Sequence, residues 1–302
     1  MRAKLVVLSV VLIVSAAASA APLYGIMFRT GGQTSGLNPK LYDVDPATGA
    51  ATNPRNVNVN DCVGIAVGPD GTMYGMTDQF GRINNQSGSG GKNLLFSINA
   101  TTGLATGIGR IDPTGVLQMF EGDIAFDPIT GELWGVSTLQ TSAALMKINT
   151  ATGLGTVIST ILPPSGVTAF DVSALTFAAN GDMWVLDTIY PTTPGPARLY
   201  RINPATGAIL QQFNTTTNLG NCAGMAFNPA DGQLLIADGD TGATANLYRF
   251  NFSTSQLELI GPTGASGGTN PVYTGLAGLT FGIPEPASLL LLGLVVIVAR
   301  RR

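Results

Sequence analysis

The chain has 302 residues; 45% are hydrophobic, only 11% are charged, and 39 are glycine and 18 proline. So little charge beside so much apolar content excludes a disordered polymer, and the glycine and proline counts point to many turns. The net charge of −3 is uneven: five of the 15 Lys and Arg residues sit in the two end segments, leaving ten against 18 acids when Glu285 of the tail is counted, and no histidine is present. An acidic body without a basic cluster excludes nucleic acid as a partner, and without histidine zinc chemistry and the usual general base are lost.

Residues 1–20 read as a secretory signal peptide: Arg2 and Lys4, then an apolar run from Leu5 to Val14, then Ala18-Ser19-Ala20 as a small-residue cleavage site. The run is about half the ~20 residues a spanning helix needs, so cleavage after Ala20 is expected.

Two patterns alternate through residues 21–282. The first reads GIAVGPDGTMYGM from Gly64, GDIAFDPITGELWGV from Gly122, SALTFAANGDMWVL from Ser173 and GMAFNPADGQLLIA from Gly224, with a truncated GLTFG from Gly278. The second reads LYDVDPATG from Leu41, LFSINATTG from Leu95, LMKINTATG from Leu145, LYRINPATG from Leu199 and LYRFNFSTS from Leu247, the last with Ser255 where the others have glycine. Each is a β-hairpin: short runs rich in β-branched and aromatic residues, then a turn with glycine where φ is positive. Asp45, Asn99, Asn149, Asn203 and Asn251 open the second turn, where their side chains can bond the backbone two residues on.

Two hairpins per ~50 residues make one four-stranded blade, and five copies predict an all-β, five-bladed β-propeller. The segment from Leu23 supplies the second half of a first pattern and the segment from Gly278 the first half, so one blade is closed by the two ends of the body. A β-sandwich and an open solenoid are the rival folds, and the split blade favours the closed ring. The body resembles exported bacterial propellers with NPATG-type repeats, a likeness that implies architecture alone.

Propeller ligands commonly bind at a channel mouth, and the residues preceding the inner strands should ring one. The repeat places Asp61, Phe120, Asp171, Asn221 and Gly275 at one level and Cys62, Glu121, Val172, Cys222 and Leu276 at the next. Asp61, Glu121, Asp171 and Asn221 are therefore the candidate ligand-binding residues, for a cation or for sugar hydroxyls. Paired carboxylates also suit glycoside hydrolysis, although a non-enzymatic role is the favoured expectation. Asp238-Gly239-Asp240-Thr241-Gly242 resembles half a calcium loop without the later acidic ligand, and an Asp/Gly turn is the favoured reading; no metal or other cofactor is assigned. Gly264-Ala265-Ser266-Gly267-Gly268 fits G-x-S-x-G literally, but no strand-turn-helix surrounds it and no histidine can serve it. Cys62 and Cys222 share one repeat position in the blades flanking the split blade. A disulfide is open to them in an exported protein, if their Cα atoms come within ~7 Å. The recurring aromatics Tyr24, Tyr74, Trp134 and Trp184 are expected to pack between blades.

Residues 283–302 hold Pro284-Glu285-Pro286, an apolar run from Ala287 to Ala299 expected to form a hydrophobic helix, and Arg300, Arg301 and Arg302. The arginines should stay cytoplasmic and the body outside. This tail resembles the PEP-CTERM sorting signal of Gram-negative bacteria. The resemblance implies an exosortase-type protease and the inner membrane as partners, an inner-membrane intermediate, then release to the cell surface or extracellular matrix, with extracellular polysaccharide as an associated partner. A glycan-acting enzyme and a membrane-anchored periplasmic sensor are the alternatives. The body is expected to act as a monomer.

Overall fold

The apolar runs become strands, and the strands pair into five antiparallel sheets of four. The computed structural model describes residues 20–28, 39–78, 81, 93–112, 121–138, 141–188, 195–220, 223–239, 245–266 and 274–284. The expected signal peptide and hydrophobic tail helix lie outside the described residues, apart from Ala20 and Ile283–Pro284. Among the described residues there is no helix, and so none long and apolar enough to cross a membrane.

Blade 1 combines the two ends of the body in the order β20-β1-β2-β3: β20 (Gly278–Phe281), β1 (Leu23–Ile26), β2 (Lys40–Val44) and β3 (Ala51–Asn56). Blade 2 is β4 (Cys62–Val67), β5 (Met73–Thr77), β6 (Leu94–Ile98) and β7 (Ala105–Arg110). Blade 3 is β8 (Gly122–Phe126), β9 (Leu133–Thr138), β10 (Ala143–Ile148) and β11 (Gly155–Ile161). Blade 4 is β12 (Val172–Phe177), β13 (Met183–Asp187), β14 (Pro196–Ile202) and β15 (Ile209–Asn218). Blade 5 is β16 (Gly224–Phe227), β17 (Leu234–Ala237), β18 (Asn246–Asn251) and β19 (Gln256–Pro262). The inner strands β4, β8, β12, β16 and β20 each touch the next, and β20 returns to β4. The body is therefore a closed five-bladed β-propeller. The split blade joins as the repeat requires, with Leu23 opposite Phe281 and Ile26 opposite Gly278.

The core is five layers, one between each pair of blades. Met76 and Leu95 of blade 2 meet Ile124 and Met146 of blade 3, and Trp134 and Leu145 of blade 3 meet Leu175 and Tyr200 of blade 4. Trp184 and Leu199 meet Met225 and Phe250 across the next seam. Leu235 and Leu247 then meet Leu23 and Leu279, and Ile26 and Leu41 meet Ile65 and Phe96, which closes the circle. Each fully buried side chain of this size contributes about 1.5–3 kcal/mol of transfer free energy. The aromatic column does pack across seams: Tyr74 lies 5.6 Å from Phe126 of the next blade, and Trp184 6.4 Å from Phe227.

Five inner strands converge so tightly that one column must be small. Gly64, Asp123, Ala174, Gly224 and Gly278 hold equivalent places, opposite Met76, Val136, Leu186, Ala237 and Ile26 of the second strands. A Cβ on Gly224 would stand 2.7 Å from the backbone of Gly278 and Leu279 in the neighbouring strand. Asp123 is the one acid in this column.

Antiparallel order sends the connections to two opposite faces. On one, the turn face, every link within the hairpins has four to six residues. On the other, the loop face, links range from four residues to the sixteen between Thr77 and Leu94.

Candidate functional site

The loop-face mouth is built where second strands end and inner strands begin. Asp78 N donates to Asp61 O at 2.9 Å, Thr138 N to Glu121 O at 3.3 Å and Thr188 N to Asp171 O at 3.0 Å. These matched bonds put Asp61, Glu121 and Asp171 at one level. The repeat alignment places Glu121 one residue further in, beside Cys62; the bonds instead set it level with Asp61 and Asp171. The cause is a β-bulge: register shifts between Cys62 and Gly64 in β4 and between Val172 and Ala174 in β12, while β8 runs without one. One extra residue on each bulged strand offsets the count. Asn221, with Phe120 and Cys222, lies outside the described residues.

Asp61 and Asp171 are buried and Glu121 is half-buried. Asp61 has φ 54°, the left-handed region that aspartate tolerates better than most residues. Behind Asp171 stands a network that sequence reading missed. Arg198 donates from Nε to Asp187 Oδ2 at 2.8 Å and from Nη2 to Ala169 O at 2.6 Å. Asp187 in turn accepts Asp171 N through Oδ1 at 2.9 Å, and its side chain is fully buried. Arg198 thus neutralises a buried carboxylate and clamps the segment that presents Asp171. Beside this pair Tyr200 is pushed up, by burial first and then by the Asp187 charge.

Blade 5 repeats the device without the arginine: Asp238 Oδ1 accepts Gly220 N at 2.7 Å. Burial pushes the Asp238 carboxyl up to about 6, although the Gly220 amide pulls the other way. Blades 2 and 3 use hydroxyls at the same place. Leu94 N donates to Thr77 Oγ1 at 2.9 Å, and Ser137 Oγ donates to Glu121 O at 2.9 Å. The visible signal was a polar residue ending every second strand from β5 to β13, with Asp238 just after β17.

Deeper in the ring, Asp123 is fully buried; its Oδ2 accepts Leu175 N of blade 4 at 3.1 Å and its Oδ1 accepts Ile124 N at 2.8 Å. Burial outweighs both amides and holds this carboxyl well above the usual range. Its signal was also present, as the acid in a column of glycine and alanine.

Among the described residues no three acidic or cysteine side chains converge closely enough to hold a metal ion. Asp238 of the half calcium loop is committed to Gly220, and Asp240, Thr241 and Gly242 lie outside the described residues. Among the described residues Cys62 stands as a buried free thiol, pushed up chiefly by burial, which keeps it unreactive. A groove of about 460 Å³ lined by Glu132, Lys147, Thr150 and Leu154 lies on blade 3 towards the turn face, away from the mouth.

Residues 122–278, blades 3 to 5 and the first residue of β20, match the model of a family described as Repeat of unknown function (DUF6923). The chain belongs to that family. Residues 282–302 match the PEP-CTERM protein-sorting motif, which starts one residue beyond β20. This marks an exported protein that exosortase processes, of the kind found in Gram-negative bacteria. No curated protein matches the chain in sequence. Similar solved structures include the periplasmic gluconolactonase of Pseudomonas aeruginosa, at 12% identity, 87% of this chain, 100% of that one and a TM-score of 0.45. A protein of unknown function from Dyadobacter fermentans has 10% identity, 86% and 83% coverage and a TM-score of 0.49. TolB from Acinetobacter baumannii has 11% identity, 87% and 57% coverage and a TM-score of 0.44.

Proposed function

We propose that the exported propeller is a binding module of the cell surface or extracellular matrix, and that its loop-face mouth engages the hydroxyls of an extracellular polysaccharide. The observation that carries this is the placement of Asp61, Glu121 and Asp171 at one level, with buried groups behind them whose role is to hold that level. Carboxylates accept paired hydroxyl hydrogen bonds, which suits polyols. The role is binding rather than turnover, and the ring closes without a second copy.

The test is calorimetric titration of the mature protein with polysaccharide purified from its own host, alongside Asp61→Asn/Asp171→Asn. Binding by the native protein, reduced at least tenfold in the double variant with an unchanged circular dichroism spectrum, is the expected outcome. Equal affinity in both proteins, or no binding by either, overturns the proposal. Release of new reducing ends during the titration would replace it with glycan hydrolysis.

A further inference from the structure

The two ends of the body leave it side by side. Inner strands run from the loop face to the turn face and second strands run back, so β20 ends and β1 begins on the turn face. Gly282 N donates to Pro22 O at 2.7 Å, in the place where blades 2 to 5 carry their first turn. β20 is also an innermost strand, so the chain departs beside the central axis. Beyond Phe281 only residues 282–286 precede the apolar run that starts at Ala287. Fully extended, five residues span at most ~17 Å, and a blade strand of about five residues is itself ~17 Å long. The link is used up before it could carry the tail round to the loop face.

The distribution of exposed apolar groups agrees. Ile129, Leu104, Leu154 and Phe252 belong to turn-face connections, and Ile283 follows β20; all five are exposed. Among the described residues the loop-face connections expose one such side chain, Leu162. The turn face is not basic: Asp45, Asp70 and Asp127 sit in its turns and bond their own backbone. Charge attraction to anionic lipid is therefore not what holds it.

We infer that, while the tail is in the membrane, the propeller stands with its turn face towards the lipid surface and its loop-face mouth turned away from it. This rests on the reading of the tail as the membrane-held segment of an exported protein. Processing near Pro284 then frees the body without touching β20, so the ring stays closed.

The experiment uses the full chain reconstituted in phosphatidylethanolamine/phosphatidylglycerol vesicles that carry a headgroup-labelled acceptor lipid. A donor dye is placed through Ala230→Cys in the 228–233 turn, or through Ser165→Cys on the loop face, in a Cys222→Ser background; Cys62 is buried. The expected result is flotation with the vesicles and energy transfer at least about twofold greater from position 230 than from position 165. Flotation with equal transfer, or with greater transfer from 165, overturns the orientation alone. Failure to float overturns the orientation and the anchoring together.

Discussion

The two faces of the ring are made from the same repeats, yet they handle polar groups in opposite ways. On the turn face the polar side chains are exposed and satisfied nearby. Asp45, Asn99, Asn149, Asn203 and Asn251 each accept the amide two residues on, at 2.8–3.0 Å. Glu132 and Lys147 pair at 2.7 Å with both side chains exposed. On the loop face the polar side chains are buried and reach across the fold, as Arg198, Asp187 and Asp171 do. Local bonds need only a short motif and can be copied from blade to blade. Bonds across the fold need particular partners, and there the five blades diverge.

Arg198→Ala should sharpen this contrast most. It leaves Asp187 charged and buried without its cation, which typically costs about 3–5 kcal/mol. Urea denaturation should show that loss, with Asp171→Asn losing much less. Lys147→Ala breaks an ion pair of similar length on the turn face and should shift the midpoint by less than about 0.5 kcal/mol. If the two losses were equal, burial would not be what separates the faces.

Gly224→Ala comes next. The added carbon meets backbone of the adjoining inner strand at 2.7 Å, and overpacking of this kind costs about 1–3 kcal/mol. Gly232→Ala, at a turn-face glycine with φ 70° and open space around its Cβ, carries only the left-handed backbone penalty of about 1–2 kcal/mol. Calorimetric melting of the pair separates crowding from backbone strain.

The pH response should be gradual. Asp238 has its folded value raised to about 6, so between the ordinary carboxyl value and 6 the folded state holds a proton that the unfolded chain has released. Its contribution is fully present at low pH and is lost as pH rises through about 6. The span amounts to no more than about 2–3 kcal/mol. Asp123, raised by burial, acts with the same sign. Melting curves from pH 4 to 7 should therefore flatten in Asp238→Asn; an unchanged slope would show that Asp238 titrates as an ordinary carboxyl.

The same division governs what was legible in the sequence. The turn-face glycines Gly49, Gly103, Gly153 and Gly207 all have positive φ, as the motif required, and Ser255 takes that conformation at 59° in their place. Strand order, blade number and the split blade followed from the repeat, because each copy encodes its own hairpins. The level of Glu121 did not, because a bulge changes the count without leaving a reliable residue signature. Nor did Arg198 with Asp187: the two strands that hold them are joined by a loop outside the repeat, and pairing Asp187 with Arg198 depends on register. The acid at Asp123 was readable as an exception in its column, but its bond to Leu175 belongs to a different blade.

The closure of blade 1 also sets a clock. Ile26 pairs with Gly278, so the join spans 252 positions of the chain. A polypeptide threaded across a membrane from its amino end delivers β1 early and β20 almost last. Until then blade 1 lacks its inner strand, β1 keeps an open edge, and the inner strands β16 and β4 lack the neighbour between them. Contacts so distant in sequence also form slowly once they can form. The last strand of the body to be delivered is therefore also the one whose pairing closes the ring, and the sorting motif follows it directly.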